Sequence, residues 1–386
     1  MTRPVARLVT ALCLAAVPIA ATLAAQAPSK GLLTTPMPSP GNGTIFVGSY
    51  SGHITAVDEA TGTFTKIPLK TGPPFAMRLT PDGKRFYVES ADQEHFEVVD
   101  AHTRQSLDTF TLSSGQRHIR ALAYEVDPQH RTMVVVAKPS TKLIDRWQID
   151  PPEFLVYDLE QHKVTRTVPW SIDPEPLHYS VALRYSPDGK LLYVFGDQIT
   201  IFDAATMAQV DQWDLSTPDD PAMGRFDPGP WDDSADPQGS VTSVFTMRDK
   251  VMNRKLLVVG QISLAARTVD VFPLGPRPEG GLSFTMSPDH KHANILRAEI
   301  GHHELWNIDM TTRTVTNRVD VPTRTRMQMR TSSNGLLYIY EAGRTIEIYA
   351  ADASKRLRTI ELDSDMMYGT FTIVPGPAPA LAPAKE

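Results

Sequence analysis

The stretch YSVALRYSPDGKLLYVFGDQITIFDAATMAQVDQWDL, residues 179–215, contains four short apolar segments that are separated by turn sequences. Its first turn, Pro187-Asp188-Gly189, begins with a proline that fixes φ and ends with a glycine that accepts positive φ. The Asp between them can bond to the backbone. Apolar and polar residues alternate within the segments, as in strands whose sheets pack face to face. The stretch therefore predicts a four-stranded antiparallel sheet.

The same unit recurs along the chain. Residues 75–112, FAMRLTPDGKRFYVESADQEHFEVVDAHTRQSLDTFTL, repeat every part of it. Related turns occur at Pro40-Gly41-Asn42-Gly43, Asp127-Pro128, Ser287-Pro288-Asp289 and Ser333-Asn334-Gly335. The third strands are predicted to end at Asp58, Asp100, Asp158, Asp203, Asp270, Asp309 and about Ala350. The first two ends lie 42 residues apart, which is the period of a propeller blade, so the sequence predicts an all-β, seven-bladed β-propeller of four-stranded antiparallel blades.

The two ends of the repeat region predict how the ring closes. Only loop-like sequence precedes the first strand at 44–47, so the first blade lacks an inner strand of its own. One apolar segment, 369–374, is left over after the seventh blade. We expect it to supply the missing strand, because this pairing removes the exposed sheet edges of an open array. The propeller is thus predicted over 44–374, after a lead-in at 28–43 and before a disordered Pro/Ala tail at 375–386.

Residues 1–27 have the features of a signal peptide. Arg3 and Arg7 precede an apolar run, and Ala25-Gln26-Ala27 provides small residues for cleavage. An uncleaved membrane anchor is the alternative, although the run falls short of about 20 residues. We therefore expect a periplasmic or secreted protein with no membrane contact beyond the signal peptide.

The composition of the mature chain excludes several classes of function. Removal of Arg3 and Arg7 from 38 basic residues leaves 36 against 44 acidic residues, which argues against a nucleic-acid partner. The single cysteine, Cys13, lies in the signal segment. A mature chain without cysteine has no disulfide, no thiolate metal site and no covalent c-type haem. We therefore expect no cofactor in this chain. We assign no catalytic and no metal-binding residue, because no Ser-His-Asp spacing, phosphate loop or H-E-x-x-H motif appears.

Two insertions interrupt the period, and long loops in a compact repeat are commonly functional. With the strands of a blade named A to D from the inside outward, Pro139–Glu153 is a B–C connection in blade three. Thr217–Ser240 is a D–A connection after blade four, so both are expected on the same face. The second insertion carries six Asp and two bulky aromatic residues; a protein interface, a packed lid and a metal site are all open for it. The candidate partner-binding residues are Lys142, Asp145, Arg146, Trp147, Arg225, Phe226, Trp231, Asp232 and Asp233.

Charged residues on the inner strands and a histidine pair are further candidates. Arg78, Arg184 and Arg330 each precede a turn Asp or Asn by four residues. They are predicted either to line the central channel and bind an anion, or to form ion pairs between blades. His302 and His303 could hold a metal, but adjacent residues in a strand point to opposite faces.

The repeats resemble the YVTN family of propellers. Ser186-Pro187-Asp188-Gly189-Lys190 with Tyr193-Val194 matches its consensus, and so does 81–84 with Tyr87-Val88; Asp58–Gly62 matches its second half. The first insertion, with Pro151-Pro152-Glu153-Phe154, is similar to the propeller subunit of quinohemoprotein amine dehydrogenase, as is Leu362–Met366 before the last strand. That resemblance implies a subunit without redox groups that packs against a cytochrome c subunit and a small quinone-bearing subunit, and helps to wall their active site.

Three functions are therefore open. The first is a non-catalytic subunit of an exported amine-dehydrogenase-like complex. The second is a lactonase-type, metal-dependent hydrolase, which needs acidic or histidine ligands at the channel mouth. The third is a stand-alone protein- or ligand-binding propeller.

Overall fold

The computed structural model describes residues 29–30, 41–173, 181–196, 198–215, 236, 239–324, 327–340, 343–367 and 369–376. In this part of the chain, 29 strands form seven sheets and no helix is present. The seven sheets are antiparallel blades, so the prediction of a seven-bladed β-propeller is confirmed.

The strands follow one another blade by blade. Blades one and two contain β1 (Ser29–Lys30), β2 (Thr44–Ser49), β3 (His53–Asp58), β4 (Thr63–Pro68), and then β5 (Pro74–Leu79), β6 (Arg85–Ser90), β7 (His95–Asp100) and β8 (Ser106–Thr111). Blades three and four contain β9 (Arg117–Val126), β10 (Thr132–Lys142), β11 (Trp147–Ile149), β12 (Glu153–Asp158), β13 (Lys163–Pro169), and then β14 (Ala182–Tyr185), β15 (Leu191–Phe195), β16 (Ile199–Asp203) and β17 (Gln209–Trp213).

The last three blades complete the ring. They contain β18 (Ser240–Asp249), β19 (Arg254–Ser263) and β20 (Thr268–Pro276) in blade five, β21 (Gly281–Met286), β22 (His292–Glu299), β23 (His302–Asp309) and β24 (Thr314–Val321) in blade six, and β25 (Gln328–Thr331), β26 (Leu337–Tyr340), β27 (Thr345–Tyr349) and β28 (Arg356–Glu361) in blade seven. The final strand, β29 (Thr372–Val374), returns to blade one.

The apolar core lies between the blades. The described residues form seven clusters of buried side chains, and each cluster joins two neighbouring sheets. Phe46 and Phe86, for example, meet between blades one and two with ring centres 4.7 Å apart. Each such side chain contributes about 1.5–3 kcal/mol by leaving water, so contact between blades stabilises the disc as a whole.

The ring closes through the C-terminal strand. β29 pairs with β2 in the register Ile45↔Ile373, and Phe371 packs against Tyr338 of blade seven. This confirms the predicted closure, but the strand is shorter than the expected 369–374. Gly369 has a φ of +83°, and the Thr370 hydroxyl accepts a hydrogen bond from Gly48 N, where a strand would offer a carbonyl.

Blade five differs from the sequence-based assignment. In blade three, His162 of the turn between strands C and D lies 3.2 Å from Asp108 on the outer strand of blade two. Arg267, in the turn after β19, pairs in the same way with Asp211 on the outer strand of blade four. The strands β18, β19 and β20 therefore hold positions B, C and D. Asp270 lies in the outer strand and does not end the third strand, so that prediction was wrong. Ser240 was predicted to end a D–A connection, but it begins a B strand, so that prediction was wrong as well.

Candidate functional site

The first insertion forms an ordered β-hairpin. β10 continues beyond the blade, and β11 pairs back against it in the register Thr141↔Gln148. The inner strand β9 pairs with the other side of the extension, through Arg117↔Thr141. β10 has 11 residues where the strands of blade two have six, so the extension projects by about 15 Å. It emerges between the B and C strands, as predicted, and we call residues 138–149 the blade-three hairpin.

One side of the blade-three hairpin is aromatic and basic. The ammonium of Lys142 lies 6.0 Å from the centre of the Trp147 ring. The imidazole of His118 packs against the same ring at 5.0 Å with its plane at 71°. His118 Nδ1 in turn lies 2.9 Å from Glu94 Oε2, in the B–C turn of blade two. Blade two thereby helps to position the Trp147 ring.

The opposite side of the hairpin carries the ion pairs that hold it in place. Arg117 lies 3.3 Å from Asp150 and 2.8 Å from Glu153, which flank the return to β12. Ile119, two residues further along β9, is buried in the core between blades two and three. The two sides therefore differ in chemistry, and this side anchors the hairpin to its blade.

The predicted partner-binding residues divide into two groups. Asp145, Arg146, Lys142 and Trp147 lie together at the tip of the hairpin, and all are exposed. Arg146 and Asp145 are 3.0 Å apart, and because about two-thirds of each side chain is in water, their pairing contributes little to stability. The other five, Arg225, Phe226, Trp231, Asp232 and Asp233, lie outside the described residues, as does most of the second insertion.

Two apolar residues of the hairpin were missed by the sequence analysis. Ile144, at the turn, is fully exposed, and Ile149 is 61% exposed. The signal for Ile149 was its spacing, because it follows Trp147 by two residues and so shares its side of a strand. Their exposure makes the tip of the hairpin an apolar surface.

Exposed apolar side chains are concentrated on one face of the disc. The B–C turns and D–A connections form this face, which we call the B–C face. Of the ten large apolar side chains that are exposed among the described residues, three lie on outer strands: Leu107, Val164 and Val210. The other seven lie in B–C turns: Tyr50, Ile144, Trp147, Ile149, Val251, Met252 and Ile300. Three of these seven, Ile144, Trp147 and Ile149, lie together in the blade-three hairpin, and exposed apolar patches of this kind are typical of protein-binding surfaces.

Two of the three inner-strand arginines form ion pairs between blades. Arg78 of blade two and Arg184 of blade four both reach Glu125 of blade three, with guanidinium nitrogens 2.5 and 3.3 Å from Oε2. The pairing alternative is therefore the one that the structure shows for these two residues. Arg330 donates to the carbonyl of Met329 in blade seven. Sequence reasoning missed Glu125, although it stands at the same offset from its turn as the arginines.

A buried carboxyl group lies beside this network. Glu89, at the end of β6, is 4% exposed, and burial raises its pKa to about 8. The guanidiniums of Arg120 and Arg78 lower that pKa, but by less. Arg120 Nε donates to Gln93 Oε1 at 2.5 Å. At neutral pH the folded protein therefore holds Glu89 mainly in its protonated form.

The histidine pair occupies two different environments. His303 is buried, its Nδ1 lies 3.1 Å from Met327 Sδ, and burial lowers its pKa. His302 points outward, 3.7 Å from Asp320. Within the described ranges, no three His, Cys, Asp or Glu side chains are grouped so that they could bind a metal ion. The same residues include no helix that could cross a membrane.

The opposite face of the disc carries a shallow cleft of about 530 Å³ between blades four and five. Asp188 of the Pro-Asp-Gly turn and the ion pair of Arg267 with Asp211 lie along it. The Ser186 hydroxyl and the Lys190 amide already donate to Asp188, and these bonds lower its pKa to about 2. The polar groups that line the cleft are thus hydrogen-bonded or ion-paired with one another.

Fold and site together define the chain as a seven-bladed β-propeller with an elaborated B–C face. No protein-family model matches it, and no curated protein matches it. Among solved structures it is similar to Kuenenia stuttgartiensis hydrazine synthase (16% identity, 90% of this chain and 99% of that chain, TM-score 0.49). It is also similar to a functionally unknown protein from Desulfotomaculum acetoxidans (13%, 87% and 99%, 0.50) and to dihydro-heme d1 dehydrogenase NirN (14%, 89% and 78%, 0.49). At such identities the likeness concerns the fold alone.

Proposed function

We propose that this chain is an exported, non-catalytic propeller subunit that binds partner proteins through its B–C face. The observation that carries the proposal is the distribution of exposed apolar side chains. Seven of ten in the described part lie in the turns of that face, and the remaining three lie on outer strands. Each exposed apolar side chain in water costs free energy that burial against a partner recovers.

The blade-three hairpin is the principal contact in this proposal. Trp147 is 49% exposed and already held on one side by His118, so little rotational freedom is lost when a partner covers it. Aromatic residues of this kind contribute a large share of binding energy at protein interfaces. Ile144 and Ile149 extend the apolar area around it.

For the partners, we propose a redox complex of the amine-dehydrogenase type. The support is the sequence resemblance to the propeller subunit of quinohemoprotein amine dehydrogenase, at the insertion and before the final strand. In such a complex a cytochrome c subunit and a small quinone-bearing subunit carry the redox groups, and this chain carries none. The propeller then excludes water from the active site and positions the partners.

Purification from the native host tests this function. A tagged chain is isolated from the periplasm and the culture medium, and its absorption spectrum and co-purifying polypeptides are recorded. We expect haem and quinone absorption together with two further polypeptides in fixed ratio. A colourless monomer from both fractions contradicts the proposal. If that monomer hydrolyses lactones only with an added divalent ion, the protein is a lactonase-type, metal-dependent hydrolase.

A further inference from the structure

We infer that the blade-three hairpin is a strand-addition site for an acidic, extended segment of a partner protein. This inference rests on the proposed function only in that it requires a partner. It concerns how the partner is recognised and which chemistry the partner presents.

The first observation is an open sheet edge. β11 pairs with β10 on one side, and no other strand in the described part of the chain pairs with its second side. The bond from Leu143 N to Arg146 O makes Leu143/Arg146 a hydrogen-bonded pair of the hairpin, and the register makes Thr141/Gln148 the next one. Hydrogen-bonded and non-hydrogen-bonded pairs alternate along an antiparallel ladder, and residues of the non-hydrogen-bonded pairs direct their N–H and C=O groups away from the partner strand. The backbone groups of Trp147 and Ile149 are therefore directed outward.

The second observation is the charge of the side that flanks this edge. Residues with the parity of Trp147 on β9, β10 and β11 share one side of the sheet, as the contacts of Trp147 with Lys142 and His118 confirm. Three residues that the hairpin and β9 place on this side are cationic, Arg120, Lys138 and Lys142, and none is a carboxylate; the others are Ser140, His118, Trp147 and Ile149. The carboxylate of Glu94, from blade two, lies against this side at His118 and is already engaged by His118 and Ser113. Asp150 and Glu153 are engaged with Arg117 on the other side.

The third observation is that the hairpin is held in place before any partner binds. Lys142 N donates to Gln116 O at 2.9 Å, and Asp150 N donates to Pro139 O at 3.0 Å. The ion pairs of Arg117 add to these bonds. A preorganised edge loses less conformational entropy when a strand is added than a mobile loop does.

These observations select the occupant. An added strand hydrogen-bonds through its main chain and places alternate side chains on the side of Trp147 and Ile149. Carboxylates there are attracted by Arg120, Lys138 and Lys142, whereas basic side chains are repelled. A second copy of this chain is the competing occupant, and it is one outcome of the test.

The test uses the full chain with 15N-labelled tryptophan, which gives one backbone amide signal for each of its five tryptophans. The Trp147 signal is assigned by its loss in Trp147→Phe. The probe is a short peptide of alternating glutamate and valine, and the comparison probe has lysine in place of glutamate. We expect the Trp147 amide to move downfield with the acidic peptide and not with the basic one.

Three variants separate strand addition from general attraction. Ile149→Pro removes an outward N–H and Lys142→Glu reverses a charge; each is expected to weaken acidic-peptide binding by about tenfold or more. Gln148→Ala, on the other side of the same strand, is the matched control and is expected to bind within about twofold of the wild type. A Trp147 amide signal that keeps its chemical shift shows that the hairpin of Ile149→Pro is still folded. If that signal is lost, the test rests on Lys142→Glu.

The outcomes are distinct. Equal shifts with both peptides, or a Trp147 signal that moves only with protein concentration, overturn the inference; the second result identifies a copy of this chain as the occupant. If the native complex forms normally with Lys142→Glu and Ile149→Pro, the inference fails and the proposed function stands. If wild-type protein yields no complex but binds the acidic peptide as expected, the proposed function fails alone.

Discussion

Charges on the inner strands show what a single residue position can and cannot reveal. Arg78, Arg184 and Glu125 occupy the same offset from their turns, and the structure brings all three together. A repeat period places such residues at the same height in the ring, so their proximity could have been predicted from offset and sign. The raised pKa of Glu89 could not have been predicted from the sequence, because it depends on atoms that other blades contribute.

At the residue scale, we predict that Glu89→Gln removes a pH-dependent loss of stability. The folded carboxyl has a pKa of about 8, whereas that of a glutamate in water is 4.5, so the folded state binds the proton more tightly. The contribution of Glu89 to stability therefore falls as pH rises from about 4.5 through 8 and is constant above that. The variant is expected to be more stable by on the order of 4 kcal/mol at pH 9 and nearly unchanged at pH 4.

Urea denaturation of both proteins from pH 4 to pH 9 measures this difference. Glu160→Gln, at an exposed turn in blade three, is the control and is expected to show no such trend. A constant difference between Glu89→Gln and wild type across this range contradicts the assignment of a protonated carboxyl.

At the scale of the element, the A–B turns share a positive φ at their fourth position, which either glycine or histidine occupies. Gly83 and Gly189 have φ of 70° and 72° at the fourth turn position, and His130 and His290 have 57° at the same place. Only the turn backbone requires this conformation, because a Cβ on Gly83 meets no atom within 4 Å. The sequence predicted these turns well, since their signal lies within four residues.

We therefore predict that substitutions at Gly83 differ by backbone preference alone. Gly83→His is expected to cost less than about 1 kcal/mol, while Gly83→Val is expected to cost about 2 kcal/mol because a β-branched residue resists positive φ. Guanidinium denaturation gives both values. Equal losses for the two variants indicate that something other than φ limits the position.

At the scale of the whole molecule, one carboxylate joins the two ends of the ring. Glu59 of blade one is fully buried and accepts hydrogen bonds from Gly43 N at 2.7 Å and from the Tyr338 hydroxyl of blade seven at 2.9 Å. Ser333, in the A–B turn of blade seven, donates to it from both its amide and its hydroxyl. These bonds link the lead-in, blade one and blade seven at the closing seam.

Glu59→Gln is expected to destabilise the whole ring. Its amide nitrogen faces donors in place of an acceptor, so we expect a loss of about 2–4 kcal/mol. The midpoint of urea denaturation measures it, with the exposed Glu361→Gln of blade seven as the control. A midpoint equal to that of the control excludes this role for Glu59.

The sequence by itself determined the blade, its number and its closing strand, because turns and alternation are local signals that do not depend on distant residues. The position of each strand in blade five was decided only by the tertiary structure. Both of its turns, after Asp249 and after Ser263, end in a residue with positive φ, Asn253 or Arg267, so local sequence does not distinguish them. Contacts with neighbouring blades distinguish the two turns, since Arg267 pairs with Asp211 of blade four and Arg313 of blade six pairs with Asp270. Likewise, the open edge of β11 exists only once β10 and β9 have paired beside it.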